Sequence, residues 1–317
     1  MSDFKRGLSE TFMIDLKGYL KPILDLVIRD HTLCLQIRKD YLNIYYRGGS
    51  IMKLERKGQS YSASFNSNYF KSEDKERKGK ITKDLPNQIK SIEGANKWVE
   101  NIPLLKQIMD EHFSTHSKTE REFQQLVARE NNNSIISNDT DYFITDIEYT
   151  HPDSRESRFD LVGINWKSTA QERKSEDNCR IVLIEMKFGD GALGGNAGIR
   201  KHLIDIDKFC GDKKKLDILK GETISSFLQL RELGLIQFGK NGNKTQIKQL
   251  STDNPEFILL FANHKPSKSK LESELKELPN LSNADVKIAT SNFMGYGLYN
   301  KNMLSIEDFK KCYLMCL

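Results

Sequence analysis

Apolar residues recur along the chain with two different periods, and the change of period predicts different structures. Residues 12–30 have a helical spacing that contains Pro22, which indicates a kinked helix or two short ones. The next segments alternate apolar and polar residues between turn-forming pairs, which is typical of an antiparallel meander. A helix is predicted for 87–113. The predicted strands of the meander are 33–38, 41–47, 50–56 and 60–65.

The rest of the chain mixes helical and strand periods in the order α-β-β-β-α-β-α-β, which predicts an α/β unit. Ser117 or Thr119 is placed to cap its first helix, 120–130. We therefore divide the chain into residues 1–116, an α+β module of helix and meander, and 117–317. The later elements are strands 142–149, 158–166 and 180–188, helices 199–209 and 221–233, strand 257–263, helix 268–278 and strand 286–291.

Length and composition narrow the classes of protein. A chain of 317 residues has room for about two domains, and 38% hydrophobic residues supply a packed core. No apolar run approaches the ~18 residues of a membrane span, and the N-terminus has no apolar signal segment. Five scattered cysteines form no CxxC pair. A disulfide scaffold and a zinc finger are thus disfavoured, and we expect a cytoplasmic protein with no membrane partner.

The positive charge is concentrated at the N-terminal end. Residues 1–118 hold 21 Lys and Arg against 15 Asp and Glu, whereas the remainder holds 28 against 29. This asymmetry allows a polyanionic partner such as nucleic acid. A lysine-rich surface that only keeps the protein soluble is the alternative.

The basic residues of the meander lie among aromatic ones. Tyrosines and phenylalanines that stack on bases, next to cations that contact phosphates, are a recurrent nucleic-acid surface. The same tyrosines at period two also fit one face of a sheet core, and a protein–protein surface stays open. The candidate nucleic-acid-binding residues are Arg47, Lys53, Arg56 and Lys57.

The strongest chemical signal follows the apolar run Ile181–Ile184. Glu185 and Lys187 come next, and because side chains alternate along a strand they share one face. Charges at the end of a buried strand are costly unless they are paired or bind a ligand. The alternative is an edge strand whose Glu and Lys face water.

A second carboxylate lies in the preceding predicted strand. Asp160 precedes Glu185 by 25 residues, which is room for a hairpin that brings the two acids together. Converging carboxylates repel each other, but they form a favourable site for a hard cation such as Mg²⁺. Lys187 would then lie beside the metal, where it can hold a phosphate or orient a water.

An Asp, then Glu-x-Lys at the end of an apolar strand, after a helix that bears glutamate, resembles the PD-(D/E)XK nuclease superfamily over about residues 119–291. The resemblance implies a restriction-endonuclease-like αβββαβ core. It also implies Mg²⁺, with Mn²⁺ as a substitute, bound by Asp160, Glu185 and the carbonyl of Met186. The sequence departs from the family name, because Phe159 and not proline precedes Asp160. A literal Pro152-Asp153 lies among polar residues and fits a turn better.

The resemblance also points to residues on two helices. The first helix of the family usually donates a glutamate to the metal, and Glu120 is slightly favoured over Glu122; both acids also suit a helix N-terminus. The helix after the glycine-rich loop 189–198 often supplies a polar residue to the site, and His202 matches best. Arg200 and Lys201 are candidate phosphate contacts. A packed histidine and a plain flexible loop are the alternatives, and His264 is a weaker candidate at a strand end.

These observations predict a metal-dependent endodeoxyribonuclease that hydrolyses phosphodiester bonds of nucleic acid, with DNA favoured as the partner. A setting in restriction, defence or repair fits the resemblance, and a homodimer stays open. The alternatives are a nucleic-acid-binding or regulatory protein on a nuclease fold that does not cut, and an α/β protein unrelated to nucleic acid. The catalytic candidates are Asp160, Glu185, Lys187 and Glu120.

Overall fold

The computed structural model divides the chain into two compact units. The first comprises Met1–Gln125 and Gln229–Ile236, and the second Leu126–Leu228 and Gln237–Leu317. The predicted boundary after residue 116 precedes this division, which falls inside a helix. The structure describes residues 6–70, 79, 81, 83–133, 135–151, 154–189, 193–194, 198–236, 246–262, 271–276, 278–291 and 295–315.

The first unit is an antiparallel sheet with helices. The strands pair in the order β1-β2-β3-β4-β5, and the four strands predicted for the meander are confirmed. The two-residue strand β5 is too short for a periodic signal. The helices are α1 (Glu10–Lys17), α2 (Lys21–Arg29) and α3 (Ile92–Thr115), and the strands are β1 (Leu33–Ile37), β2 (Tyr41–Tyr46), β3 (Gly49–Lys57), β4 (Ser60–Ser64) and β5 (Gln88–Ile89).

The proline-containing segment forms two helices, α1 and α2, as one of the two predicted outcomes. Ser9 caps α1 through a bond from the amide of Phe12, and Gly18 ends it. Pro22 lies in the first turn of α2, where a missing amide hydrogen costs nothing. The inward faces of the helices and strands form one core, because α3 packs on α2, β3 and β5.

The second unit is a mixed sheet with helices. Its strands follow the order β10-β9-β8-β7-β6. β6, β7 and β8 pair antiparallel, whereas β8, β9 and β10 pair parallel. The elements that lie wholly or partly in this unit are α4 (Thr119–Asn132), β6 (Tyr142–His151), β7 (Ser154–Asn165), β8 (Arg180–Phe188), α5 (Ile199–Gly211), α6 (Lys213–Glu232), β9 (Glu256–Ala262), α7 (Leu271–Leu275), β10 (Asp285–Ser291) and α8 (Ile306–Met315). Residues of α4 up to Gln125 and of α6 from Gln229 belong to the first unit.

The predicted α/β class is therefore confirmed at the level of two mixed helix-and-sheet units. α6 begins eight residues before the predicted helix 221–233. It opens with a run of lysines, which obscures the helical spacing of the buried Leu216 and Leu219 in the sequence. β6 and β7 extend to His151 and Ser154. In the part of the chain that the structure covers, no helix combines the length and apolarity of a membrane span.

β8 occupies the middle of the second sheet and carries the Glu-x-Lys. It has β7 on one side and β9 on the other, and its residues Ile181–Ile184 are almost fully buried. A continuous apolar run is the pattern of a strand covered on both faces. An edge strand that exposes Glu185 and Lys187 to water is therefore wrong for this chain.

Candidate active site

Asp160 and Glu185 lie next to each other on neighbouring strands. The ladder between β7 and β8 ends at the pair Leu161–Ile184, so these two acids are the next residue beyond it on each strand. Oδ2 of Asp160 accepts a hydrogen bond of 2.8 Å from the backbone amide of Met186. That bond fixes the Asp160 carboxylate against β8 beside Glu185.

Glu185 and Lys187 share one face of β8, as strand alternation requires. Nζ of Lys187 lies 2.7 Å from Oε1 of Glu185, and their side chains are only 5% and 9% exposed. Met186 points to the opposite face and is fully buried. Both charged groups are therefore almost fully desolvated, and their pairing offsets part of the cost of desolvation.

α5 brings a third group to the same carboxylate. Nε2 of His202 lies 3.2 Å from Oε1 of Glu185, and the histidine side chain is 29% exposed. The helix is held by its buried stripe, which includes Leu203 and Ile206. Of the candidates on this helix, His202 is the one whose side chain contacts the Glu-x-Lys pair.

The two oxygens of Glu185 have different surroundings. Both Lys187 and His202 approach Oε1, while no donor from the residues described here makes a hydrogen bond to Oε2. A carboxylate oxygen without a donor is suited to a hard cation. The described residues contain no group of three or more His, Cys, Asp or Glu side chains arranged to hold a metal ion.

The neighbouring cations of α5 make other contacts. Arg200 approaches Glu274 at 3.4 Å, and its Nη2 donates to the carbonyl of Ser273 at 3.3 Å, both on α7. Lys201 pairs with Asp205 one turn along the same helix at 2.8 Å. Arg200 thus joins α5 to α7, and Lys201 stays on the exposed face of α5.

The two candidate glutamates of α4 belong to the first unit. Glu120 is half-buried. Glu122 accepts a hydrogen bond of 2.8 Å from Nε of Arg47, and the same guanidinium donates another of 2.8 Å to Asp110. The hydrogen bonds that Arg47 donates to Glu122 and Asp110 raise its pKa above the ordinary value. Burial, together with the hydrogen bond to Asp110, raises the pKa of Tyr46 to about 12.

The other candidate cations of the meander are more exposed. Lys53 and Lys57 both pair with Glu55, at 2.9 and 2.6 Å, and hydrogen bonds from Lys57 and Lys53 lower the pKa of Glu55. Arg56 is half-buried. Tyr61 and Tyr69 are buried, which favours the core interpretation for these two rings.

Several predicted features fall outside the described residues. These are Pro152-Asp153, His264 and most of the glycine-rich loop, namely 190–192 and 195–197. A polar cluster at the other end of the central strands was not predicted from the sequence. Glu256 of β9 is buried there and accepts from Tyr142 and from Asn165 at 2.9 Å. Its one sequence signal is an acid that opens an otherwise apolar strand.

Comparison with known proteins identifies no family or relative of this chain. No family model, no curated protein and no solved structure matches the chain. The function is therefore inferred from the geometry of the side chains.

Proposed function

We propose that this protein is a Mg²⁺-dependent nuclease that hydrolyses phosphodiester bonds, with DNA as the favoured substrate. One observation carries the proposal: Asp160 and Glu185 lie at adjacent positions of two central strands, with Lys187 on the Glu185 face. Two acids and a lysine in this arrangement suit the binding of a hard cation and a phosphate.

The order of elements supports the same proposal. From α4 to β9 the second unit runs through one helix, three antiparallel strands, two helices and a parallel strand. Apart from the second helix, α6, this is the αβββαβ order that the resemblance implies for a restriction-endonuclease-like core. The candidate acids then come from the second and third strands of that core.

The donor chemistry fits a divalent cation. Asp160 and Glu185 would hold it, Glu185 through Oε2, and the carbonyl of Met186 is the further ligand that the resemblance implies. When bound, Mg²⁺ polarises the phosphate and lowers the pKa of the attacking water. His202 holds the Glu185 carboxylate in place through Oε1. Lys187 stabilises the negative charge that develops on the phosphate, a contribution of about 10²–10³ in rate.

The proposal is tested with purified protein and plasmid, linear and single-stranded DNA in Mg²⁺, Mn²⁺ or EDTA. We expect cleavage in Mg²⁺ or Mn²⁺ and none in EDTA. Asp160→Asn and Glu185→Gln each replace a ligand oxygen with an amide, and we expect both to lower the cleavage rate at least about 100-fold.

Two matched substitutions control for charge and for burial. Asp217→Asn changes an exposed acid of the same unit. Glu222→Gln changes a buried acid that bonds to the Tyr149 hydroxyl. Both should cut at the normal rate while folded. Cleavage in EDTA, or full activity in Asp160→Asn and Glu185→Gln, would contradict the proposal. Binding of DNA without cleavage would favour the non-cutting alternative.

A further inference from the structure

Two histidines lie one turn apart at the C-terminal end of α3, in the first unit. His112 is in the last turn and His116 is the residue that ends the helix. Their rings are 4.7 Å apart between centroids and their planes differ by 15°. Side chains at positions i and i+4 of a helix are surface neighbours, and two histidines at this spacing can bind one zinc ion.

The Thr115 hydroxyl lies beside both histidines. Its oxygen is 3.1 Å from the carbonyl of His112 and 2.9 Å from Nδ1 of His116. The single hydroxyl hydrogen suits either acceptor, so both tautomers of the His116 ring satisfy the contact. His116 is exposed, so its ring can leave this contact without burying a polar group.

His112 is also prepared to act as a ligand. Its ring is half-buried against the edges of Tyr69 and Phe113, at 5.3 and 5.7 Å between centroids. Burial and the charges of the neighbouring His116 and Lys118 lower its pKa. Within the described part of the chain the ring forms no hydrogen bond.

We propose that His112 and His116 form a two-ligand site for a borderline divalent cation, with Zn²⁺ foremost and Cu²⁺ and Ni²⁺ as stronger probes. Imidazole nitrogens bind these ions at ~2.0–2.1 Å, and affinity rises towards Cu²⁺. Stacked rings do not point their nitrogens at one ion, so the exposed His116 ring leaves its contact with Thr115 and turns to share the ion with His112. Water fills the remaining positions. Mg²⁺ prefers oxygen ligands, so this site is chemically distinct from the proposed catalytic one.

The test is titration of the full-length protein with Ni²⁺, Cu²⁺ and Zn²⁺ by calorimetry, with paramagnetic resonance of bound Cu²⁺ to count nitrogen ligands. Because these ions also bind carboxylates, the titration includes Glu185→Gln beside the wild type, and we expect the site with two nitrogen ligands in both. His116→Ala and His112→Ala should each weaken it at least 10-fold.

His31→Ala, in an exposed turn, is the matched control and should leave the affinity unchanged. Excess Mg²⁺ should not displace the ion. Because His116 is exposed, its replacement spares the core, and circular dichroism of each variant checks the fold. The proposal is overturned if the wild type binds none of the three ions below about 1 mM, or if His116→Ala binds them as tightly as the wild type does.

Discussion

In the first unit one arginine pairs with two carboxylates, whereas in the second unit one carboxylate contacts a lysine and a histidine. The side chains of Arg47, Asp110 and Glu122 are 36%, 43% and 32% exposed. Those of Lys187 and Glu185 are 5% and 9% exposed. The two clusters thus have similar distances and very different solvent access.

Under the proposed function, that difference separates a structural role from a chemical one. The partly exposed cluster keeps much of its hydration, and it joins the turn after β2 to α3 and to the start of α4 at little cost. The buried pair loses most of its hydration in a strand whose other residues, apart from Arg180 at its start, are apolar. A sheet does not need such a pair, and the proposed binding of a cation and a phosphate would account for it.

The largest expected effect on stability comes from removing one partner of the buried Glu185–Lys187 pair. Lys187→Met leaves the Glu185 charge buried without its lysine, and the free energy of unfolding should fall by about 3–5 kcal/mol. Glu185→Leu combined with Lys187→Met removes both charges, and stability should return to the wild-type value or exceed it. Urea unfolding measures both variants.

Cleavage provides the second measurement on the same proteins. The double variant should be stable and cut DNA at least about 100-fold more slowly, because it lacks a ligand oxygen and the lysine. A double variant as unstable as Lys187→Met would instead show that the pair supports the fold. The comparison between the two clusters would then lose its functional meaning.

Sequence patterns could predict the helices and strands of each unit better than the contacts between residues that are far apart in the sequence. β1 to β4 follow from alternation and from turns at Asp40, Gly48 and Gly58, which adopt the positive φ angles that such turns need. These strands and turns depend on neighbouring residues, so a local pattern contains them. The adjacency of Asp160 and Glu185 depends instead on the pairing of β7 with β8, which a hairpin between successive strands predicts.

Contacts between distant residues leave no such periodic signal. Glu122 is 75 residues from Arg47, so nothing in the helix pattern shows that it pairs with the arginine. The asparagines that end α4 are a second example. Asn132 bonds to both the amide and the carbonyl of Ile144, at 2.9 and 2.7 Å, and so covers the edge of β6. The sequence alone showed only a run that ends a helix.

A smaller effect should come from the turn that positions Arg47. Gly48 has φ +72°, its amide donates to Gln125 at 2.7 Å, and a Cβ there would lie 2.5 Å from the backbone of Arg121. Gly58 has φ +62° and open space around it. Gly58→Ala should therefore cost about 1 kcal/mol for the backbone alone, and Gly48→Ala at least about 2 kcal/mol more in urea unfolding. Equal losses would mean that α4 does not fasten this turn.

The smallest effect on stability is expected at the exposed lysines of β3, and it separates nucleic-acid contacts from structural ones. Lys53 and Lys57 share Glu55 at the surface, so Lys53→Gln with Lys57→Gln should cost less than about 1 kcal/mol. If both lysines contact phosphates, the slope of log affinity for DNA against log salt should become shallower by about 1.8.

Arg47→Gln is the matched control for these lysines. Its guanidinium is already held by Asp110 and Glu122, so its loss should lower the free energy of unfolding by about 1 kcal/mol and leave the salt slope unchanged. Equilibrium DNA binding at several salt concentrations, beside urea unfolding, measures both quantities. A slope that changes with Arg47→Gln and not with the lysines would reverse the assignment, because the arginine would then leave its carboxylates to bind the phosphate backbone.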